Sequence, residues 1–326
     1  MIMNLLEQRV EKTLLELARF RVIKKISVTR IETAPKGGAW RAFENGGEWG
    51  VPEPWQDFRF EVVAPEDFSG RVLLRAITGR EGLWDATNPR FEARVDGRIG
   101  QALDVNHPAG ELGMAEAVRG RRFSVVLNGY CPPLSEGEAV PNLTLTLEDE
   151  DVETAQLYYD LSVPYQGCDL LPKGERDREA TLEILSRAID RIDLRYPHSQ
   201  DYIRSVAAAR EYLRHAYYEK RRAVPPSAVA ECVGHTHIDV AWLWDLEQTR
   251  HKAVRSFSTV LKLMDKYPEY KFMSSQAALY QMVKEDEPEL YGRIKEAVSN
   301  GRWEPEGGMW LEADCNVTSG ESLARQ

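Results

Sequence analysis

The sequence predicts a multidomain α and β protein in four consecutive parts. These are an N-terminal helix over 1–24, a β-sandwich over 25–165, a helical spacer over 166–225 and the N-terminal part of a parallel-sheet α/β domain over 226–326. Three observations predict it. At 326 residues the chain exceeds what one core ordinarily serves. Residues 25–165 alternate apolar and polar side chains in short runs closed by turn signals. After Pro226, short apolar runs alternate with segments of helical spacing.

The opening helix rests on Leu6, Val10, Leu14 and Leu17, which recur at helical spacing over residues 3–20. The charges between them carry both signs, which suits docking onto protein better than lying on a membrane surface. In the middle region Phe58, Phe60 and Val62 alternate with charged residues up to Pro65. Runs at 71–78, 91–95, 123–127 and 143–147 follow, one of them closing on the turn signal Asp96-Gly97. Trp40, Trp49, Trp55 and Trp84 sit in or near the loops. Exposed, they would stack on sugar rings; buried, they would be packing anchors.

Two helices are expected over 172–219, interrupted at Tyr196-Pro197, and Pro225-Pro226 marks a boundary. Beyond it come a buried strand at 228–233, a helix at 248–266, a strand at 271–275, a helix at 279–298 and a strand at 303–309. That order predicts a parallel sheet. Thr318 and Glu321 have the spacing of a capping box for one more helix. Gln326 would fall inside its second turn, so the last residue is not expected to be a natural domain end.

Composition narrows the function. Hydrophobic residues at 43% and charged residues at 29% describe a folded protein. A net charge of −10 argues against a nucleic-acid surface, which needs clustered Lys and Arg. Four widely spaced cysteines with no C-x-x-C pair suggest reduced thiols. With no signal-peptide pattern and no transmembrane run, the expectation is a cytoplasmic protein without membrane association.

Two segments carry chemistry. Gly234-His-Thr-His-Ile-Asp-Val-Ala-Trp242 follows the first strand of the α/β part. Parallel sheets gather active sites at the carboxyl ends of their strands. In extended backbone a His-x-His pair (His235 and His237) or a His-x-Asp pair (His237 and Asp239) shares a side, because side chains repeat every two residues. Imidazole nitrogen with carboxylate oxygen suits Zn²⁺ or Co²⁺, and the lack of nearby Cys favours a catalytic over a structural site. One of the two histidines could instead orient its neighbour. The second segment, Glu304-Pro-Glu-Gly-Gly-Met-Trp-Leu-Glu-Ala-Asp-Cys-Asn316, follows the third strand and could reach the same rim. Asp314 there could be a metal ligand, a nucleophile or both, and Gly307-Gly308 would let backbone approach a ligand.

Together these segments resemble the signatures of glycoside hydrolase family 38, the class II α-mannosidases. Arg255-Ser-Phe, Tyr267-Pro-Glu and Phe272-Met-Ser-Ser-Gln-Ala-Ala-Leu-Tyr280 are similar to that family as well. Val95-Asp-Gly and Asp104-Val-Asn-His107 resemble its cytosolic and vacuolar branch. The resemblance implies a retaining α-mannosidase that acts on α-mannoside oligosaccharides in carbohydrate catabolism. It implies a seven-stranded β/α-type catalytic domain with one divalent metal, Zn²⁺ or Co²⁺, held by His237, Asp239 and Asp314. Asp314 would also be the nucleophile, Trp242 would pack against the sugar, and the role of His235 stays open. In the family the last metal-binding histidine and the acid/base aspartate lie further along than Gln326. The expectation is therefore an N-terminal fragment, inactive alone because leaving-group protonation is missing. Relatives that assemble as oligomers make a homo-oligomer compatible with the N-terminal helix.

Two rivals remain. An amidohydrolase-like metal hydrolase also places His-x-His after a first strand, but it needs a bridging Lys or further histidines, and none follows His251. A non-catalytic carbohydrate-binding module would bind sugar through 25–165, indifferent to chelators and to Asp314→Asn.

Overall fold

The structure, a computed structural model, describes residues 5–80, 88–220, 229–312 and 318–325. The described residues form a mixed α and β assembly with three sheets and three apolar cores.

Helix α1 (Leu5–Phe20) turns Val10, Thr13 and Leu17 inward. Its partners come from far along the chain: α3 (Val152–Cys168) and α4 (Arg176–Ile189), while its Phe20 meets Tyr202 of α5 (Gln200–Leu213) edge-on. Leu157, Leu161, Leu185, Val206 and Tyr202 complete that core. The N-terminal helix and the helical spacer thus form one cluster. The Tyr202 hydroxyl lies 2.9 Å from Thr154 Oγ1, so this buried polar tip is paired. Residues 152–165 were expected to belong to the sandwich and are helical instead. Apolar and polar residues are mixed all round α3 and Pro164 lies within it, so no amphipathic stripe announces it.

Two antiparallel sheets face each other across a second core. The first orders its strands β1 (Val22–Ser27), β10 (Thr144–Glu150), β5 (Arg71–Ile77) and β8 (Ala109–Met114). The second orders β3 (Arg41–Phe43), β2 (Ile31–Pro35), β4 (Trp55–Val63), β9 (Arg122–Tyr130), β6 (Arg90–Val95) and β7 (Arg98–Leu103). One turn of helix, α2 (Ala115–Val118), follows β8. Phe58, Phe60, Val125 and Leu127 from the second sheet meet Leu74, Leu145 and Leu147 from the first. Central β10 is buried on both faces despite ending Glu148-Asp149-Glu150. Arg75 pairs with Glu148 at 2.7 Å, Arg21 and Arg71 pair with Glu150, and the Ser69 and Gly70 amides donate to Asp149. Buried carboxylates persist where such partners replace water.

The tryptophans are mostly packing residues. Trp49 is buried edge-on against Phe58, Trp55 stacks with Tyr130 and His251, and the Arg59 guanidinium lies over Trp40. Trp84 lies outside the described residues.

The third sheet is parallel: β11 (Gly234–His235), β12 (Phe272–Met273) and β13 (Trp303–Glu304), in that order. Helix α6 (Leu246–Lys266) links the first two strands; α7 (Ala277–Asp286) and α8 (Pro288–Ser299) link the second and third. Three expectations need correction. Residues 229–233 are not a buried strand: Val229 is 81% exposed and pairing starts at Gly234. The single helix at 279–298 is two, because Pro288 lacks the N–H to continue α7 and instead opens α8. Among the described residues Thr318 Oγ1 makes no hydrogen bond, so it caps nothing ahead of α9 (Gly320–Arg325). The strands at 271–275 and 303–309 are also shorter than expected.

Helix α6 lies along the second sheet at β7. Thr259 Oγ1 accepts from the Ala102 amide of that edge strand, His251 meets Glu92 at 2.5 Å, and Ile99 joins the core of the parallel-sheet unit. An edge covered in this way offers fewer free backbone groups to another chain.

Candidate active site

The candidate site is built where the three parallel strands end. Strand β11 is tightly packed at Gly234, where a Cβ would come within 2.2 Å of the Tyr270 hydroxyl, so any larger residue requires that ring to move. Past His235 the chain turns, held from inside by Ile238, which is fully buried. Gln276 clamps that turn from the next strand end, its Nε2 donating to the Ile238 carbonyl at 2.9 Å. Gln276 itself adopts a left-handed backbone (φ 62°), which few non-glycine residues do without a stabilising contact. With Ile238 pinned inward, its neighbours His237 and Asp239 both lie on the solvent side.

There His237 Nε2 lies 3.0 Å from Asp239 Oδ1, and His237 Nδ1 lies 2.9 Å from Glu312 Oε2. Glu312 Oε1 accepts from Ser275 Oγ at 2.5 Å. The backbone carrying Glu312 is fixed by the first amides of α7: Ala277 N donates to Met309 O and Ala278 N to Trp310 O. Gly307 (φ 100°) makes the turn that brings this segment over Ser275. The exposed Trp242 meets Trp244 edge-on with ring centres 5.4 Å apart, and Trp244 Nε1 donates to the Asp239 carbonyl. His235 is exposed on β11. Beside the site, Tyr280, Tyr291, Gly307 and Trp310 line a cavity of about 300 Å³.

His237 and Asp239 are therefore brought together, with Trp242 three positions after Asp239 on the same segment. Asp314, the expected nucleophile and third ligand, lies outside the described residues. Glu312 is the residue that reading the motif missed. It stands two positions before Asp314, and its signal is chemical: a metal-binding imidazole commonly needs a carboxylate on its other nitrogen.

The donors fit a divalent cation. Ligands about 2.0–2.1 Å from a shared ion stand roughly 3 Å apart at neighbouring corners of the shell, as Nε2 and Oδ1 do. Glu312 points at Nδ1 and not at that shared position, so among the described residues no group of three His, Cys, Asp or Glu converges on one point.

Residues 228–326 match the model of the glycosyl hydrolases family 38 N-terminal domain. Alpha-mannosidase G of Dictyostelium discoideum is 28% identical over 279 residues, covering 85% of this chain and 24% of its own length. Alpha-mannosidase of Saccharomyces cerevisiae is 46% identical over 95 residues, and human Alpha-mannosidase 2C1 is 47% identical over 93. Those two alignments cover 29% and 28% of this chain and 9% of each relative. The chain thus spans a quarter or less of the length of these relatives. The match falls on the segment that holds His237, Asp239 and Glu312, and over that segment this chain is similar to the glycosyl hydrolases family 38 N-terminal domain.

Proposed function

We propose that this chain contributes to a retaining α-mannosidase that hydrolyses α-D-mannosides of oligosaccharides. Residues 226–326 are the start of its seven-stranded β/α-type catalytic domain, after an N-terminal helix (1–24), a sandwich (25–165) and a helical spacer (166–225). What supports the reading is the His237–Asp239 pair, 3.0 Å apart at the end of a parallel strand, within the segment that matches the family.

A retaining glycosidase divides displacement at the anomeric carbon between a carboxylate nucleophile and a second carboxyl acid/base group. Asp314 is the nucleophile: its carboxylate attacks the anomeric carbon as the glycosidic bond breaks and holds the sugar as an ester until water releases it. His237, Asp239 and Asp314 hold one divalent metal, Zn²⁺ or Co²⁺. When bound, that ion supplies Lewis acidity next to the reacting carbon and favours the ionised form of Asp314. Trp242 offers a flat apolar face to the C–H side of the sugar. The four cysteines, which include free thiols at Cys131, Cys168 and Cys232, suit a cytoplasmic setting.

The deciding assay is hydrolysis of an aryl α-mannoside by the native polypeptide, before and after chelation and on re-addition of Zn²⁺ or Co²⁺. Activity lost to chelator, restored by metal and abolished in Asp314→Asn is the expected outcome. Hydrolysis indifferent to both chelator and Asp314→Asn would overturn the proposal.

A further inference from the structure

We propose that Glu312, held by Ser275, is a positioning residue that fixes the His237 ring so that Nε2 is the nitrogen presented to the metal. This inference rests on the metal-dependent reading above.

Both ring nitrogens of His237 face carboxylate oxygens: Asp239 at 3.0 Å from Nε2 and Glu312 at 2.9 Å from Nδ1. A neutral imidazole has a single N–H and satisfies one such acceptor. The two carboxylates are not equivalent. Glu312 is restrained on its far oxygen by the Ser275 hydroxyl at 2.5 Å, and the carbonyls of Met309 and Trp310 just before it are held by the first amides of α7. It is therefore a built acceptor for Nδ1–H. The lone pair on Nε2 then points toward the Asp239 carboxylate. Two facing lone pairs repel, and a cation bound between them turns that repulsion into attraction.

The links of this relay come from three successive strand ends. His237 and Asp239 follow β11, Ser275 follows β12 and Glu312 follows β13. Parallel pairing of Gly234 with Phe272 and of Phe272 with Trp303 sets their relative height. Ligand orientation is thereby tied to sheet register and not to a flexible loop alone. The contact is half-exposed, with side-chain exposures of 53% for His237 and 32% for Glu312, and such surface pairs add little to folding stability. A stability role and a positioning role are thus separable by experiment.

The test is titration of the metal-free native polypeptide with Co²⁺, followed by calorimetry and by visible absorption of the bound ion. The variants are Glu312→Ala, Glu312→Gln, Ser275→Ala and His237→Ala. We expect Glu312→Ala to weaken Co²⁺ binding about 10–100-fold and to alter the absorption band, with circular dichroism and melting unchanged. Glu312→Gln keeps an oxygen acceptor for Nδ1–H and falls between Glu312→Ala and the unaltered protein; it decides the matter if Glu312→Ala fails to fold. Ser275→Ala shifts affinity in the same direction and by less. Unchanged affinity and spectrum in the Glu312 variants, with binding lost in His237→Ala, would overturn the positioning role alone. Equal binding by His237→Ala and the unaltered protein would overturn the metal reading, and the role of Glu312 with it.

Discussion

Two tryptophans show how burial separates stability from recognition. Trp242 is 54% exposed beside the candidate site, while Trp303 is 2% exposed, with Phe257 and Phe272 against its ring and its Nε1 donating to the Tyr280 hydroxyl. Truncating Trp303 to Ala removes a large buried ring and its hydrogen bond, at a cost of about 3–5 kcal/mol in denaturant unfolding. Trp242→Ala vacates surface and should stay within roughly 0.5 kcal/mol of the parent. Under the proposed α-mannosidase function its effect belongs in mannoside affinity, where loss of an aromatic contact worth about 0.5–1.5 kcal/mol raises KM several-fold. Equal loss of stability in both variants would show that Trp242 is a packing residue. The His-x-Asp pair was legible from a two-residue period, which any extended segment obeys. Glu312 was not, because its partner His237 lies 75 residues earlier and only strand pairing brings them together.

Connections between elements carry their own chemistry, as the turn between α4 and α5 illustrates. Asp193 accepts from the Arg195 side chain at 2.7 and 2.9 Å and from the Arg195 amide, and these bonds hold its carboxyl down at about 2. The Asp193 amide in turn donates to Ser205 Oγ on α5. A carboxyl whose folded pKa lies below its unfolded value of about 3.9 stabilises the folded state above that value. That contribution is lost as pH falls through about 2. Denaturation midpoints measured from pH 5 downward should therefore differ between the parent and Asp193→Asn at the upper end and converge at the lower. A constant difference across the range would exclude this carboxylate as the cause. At the same scale, the break between α7 and α8 came from Pro288, a signal present in the sequence but hidden within a continuous apolar period. The exposed run at 229–233 shows the converse: an apolar stretch becomes a strand only where a neighbour pairs with it.

Across the whole molecule the sandwich and the parallel-sheet unit are joined through α6. Ile99 of β7 enters the same core as Ile238, Val254 and Phe257, while Arg94 of β6 pairs with Glu287 at the start of α8. Burying a charge at Ile99 without a partner is costly, so Ile99→Asp should open this joint. Amides of Leu246–Lys266 and of Arg98–Leu103 are expected to gain hydrogen exchange together. Faster exchange confined to the strand would mean that the two units are stabilised independently. None of the described helices is long and apolar enough to cross a membrane.

What the sequence by itself determined is local. Periods of two and 3.6 located most strands and helices, since side-chain direction repeats with the backbone. The His-x-Asp and Gly-Gly motifs carried the resemblance to glycoside hydrolase family 38 before any contact was known. What only the tertiary structure decided is long-range. It put the N-terminal helix into one cluster with α3, α4 and α5, turned Trp49 and Trp55 into packing residues, and set Glu312 on His237. Those outcomes depend on which surfaces meet, and meeting is settled by burying apolar area and pairing polar groups between segments that no local pattern connects.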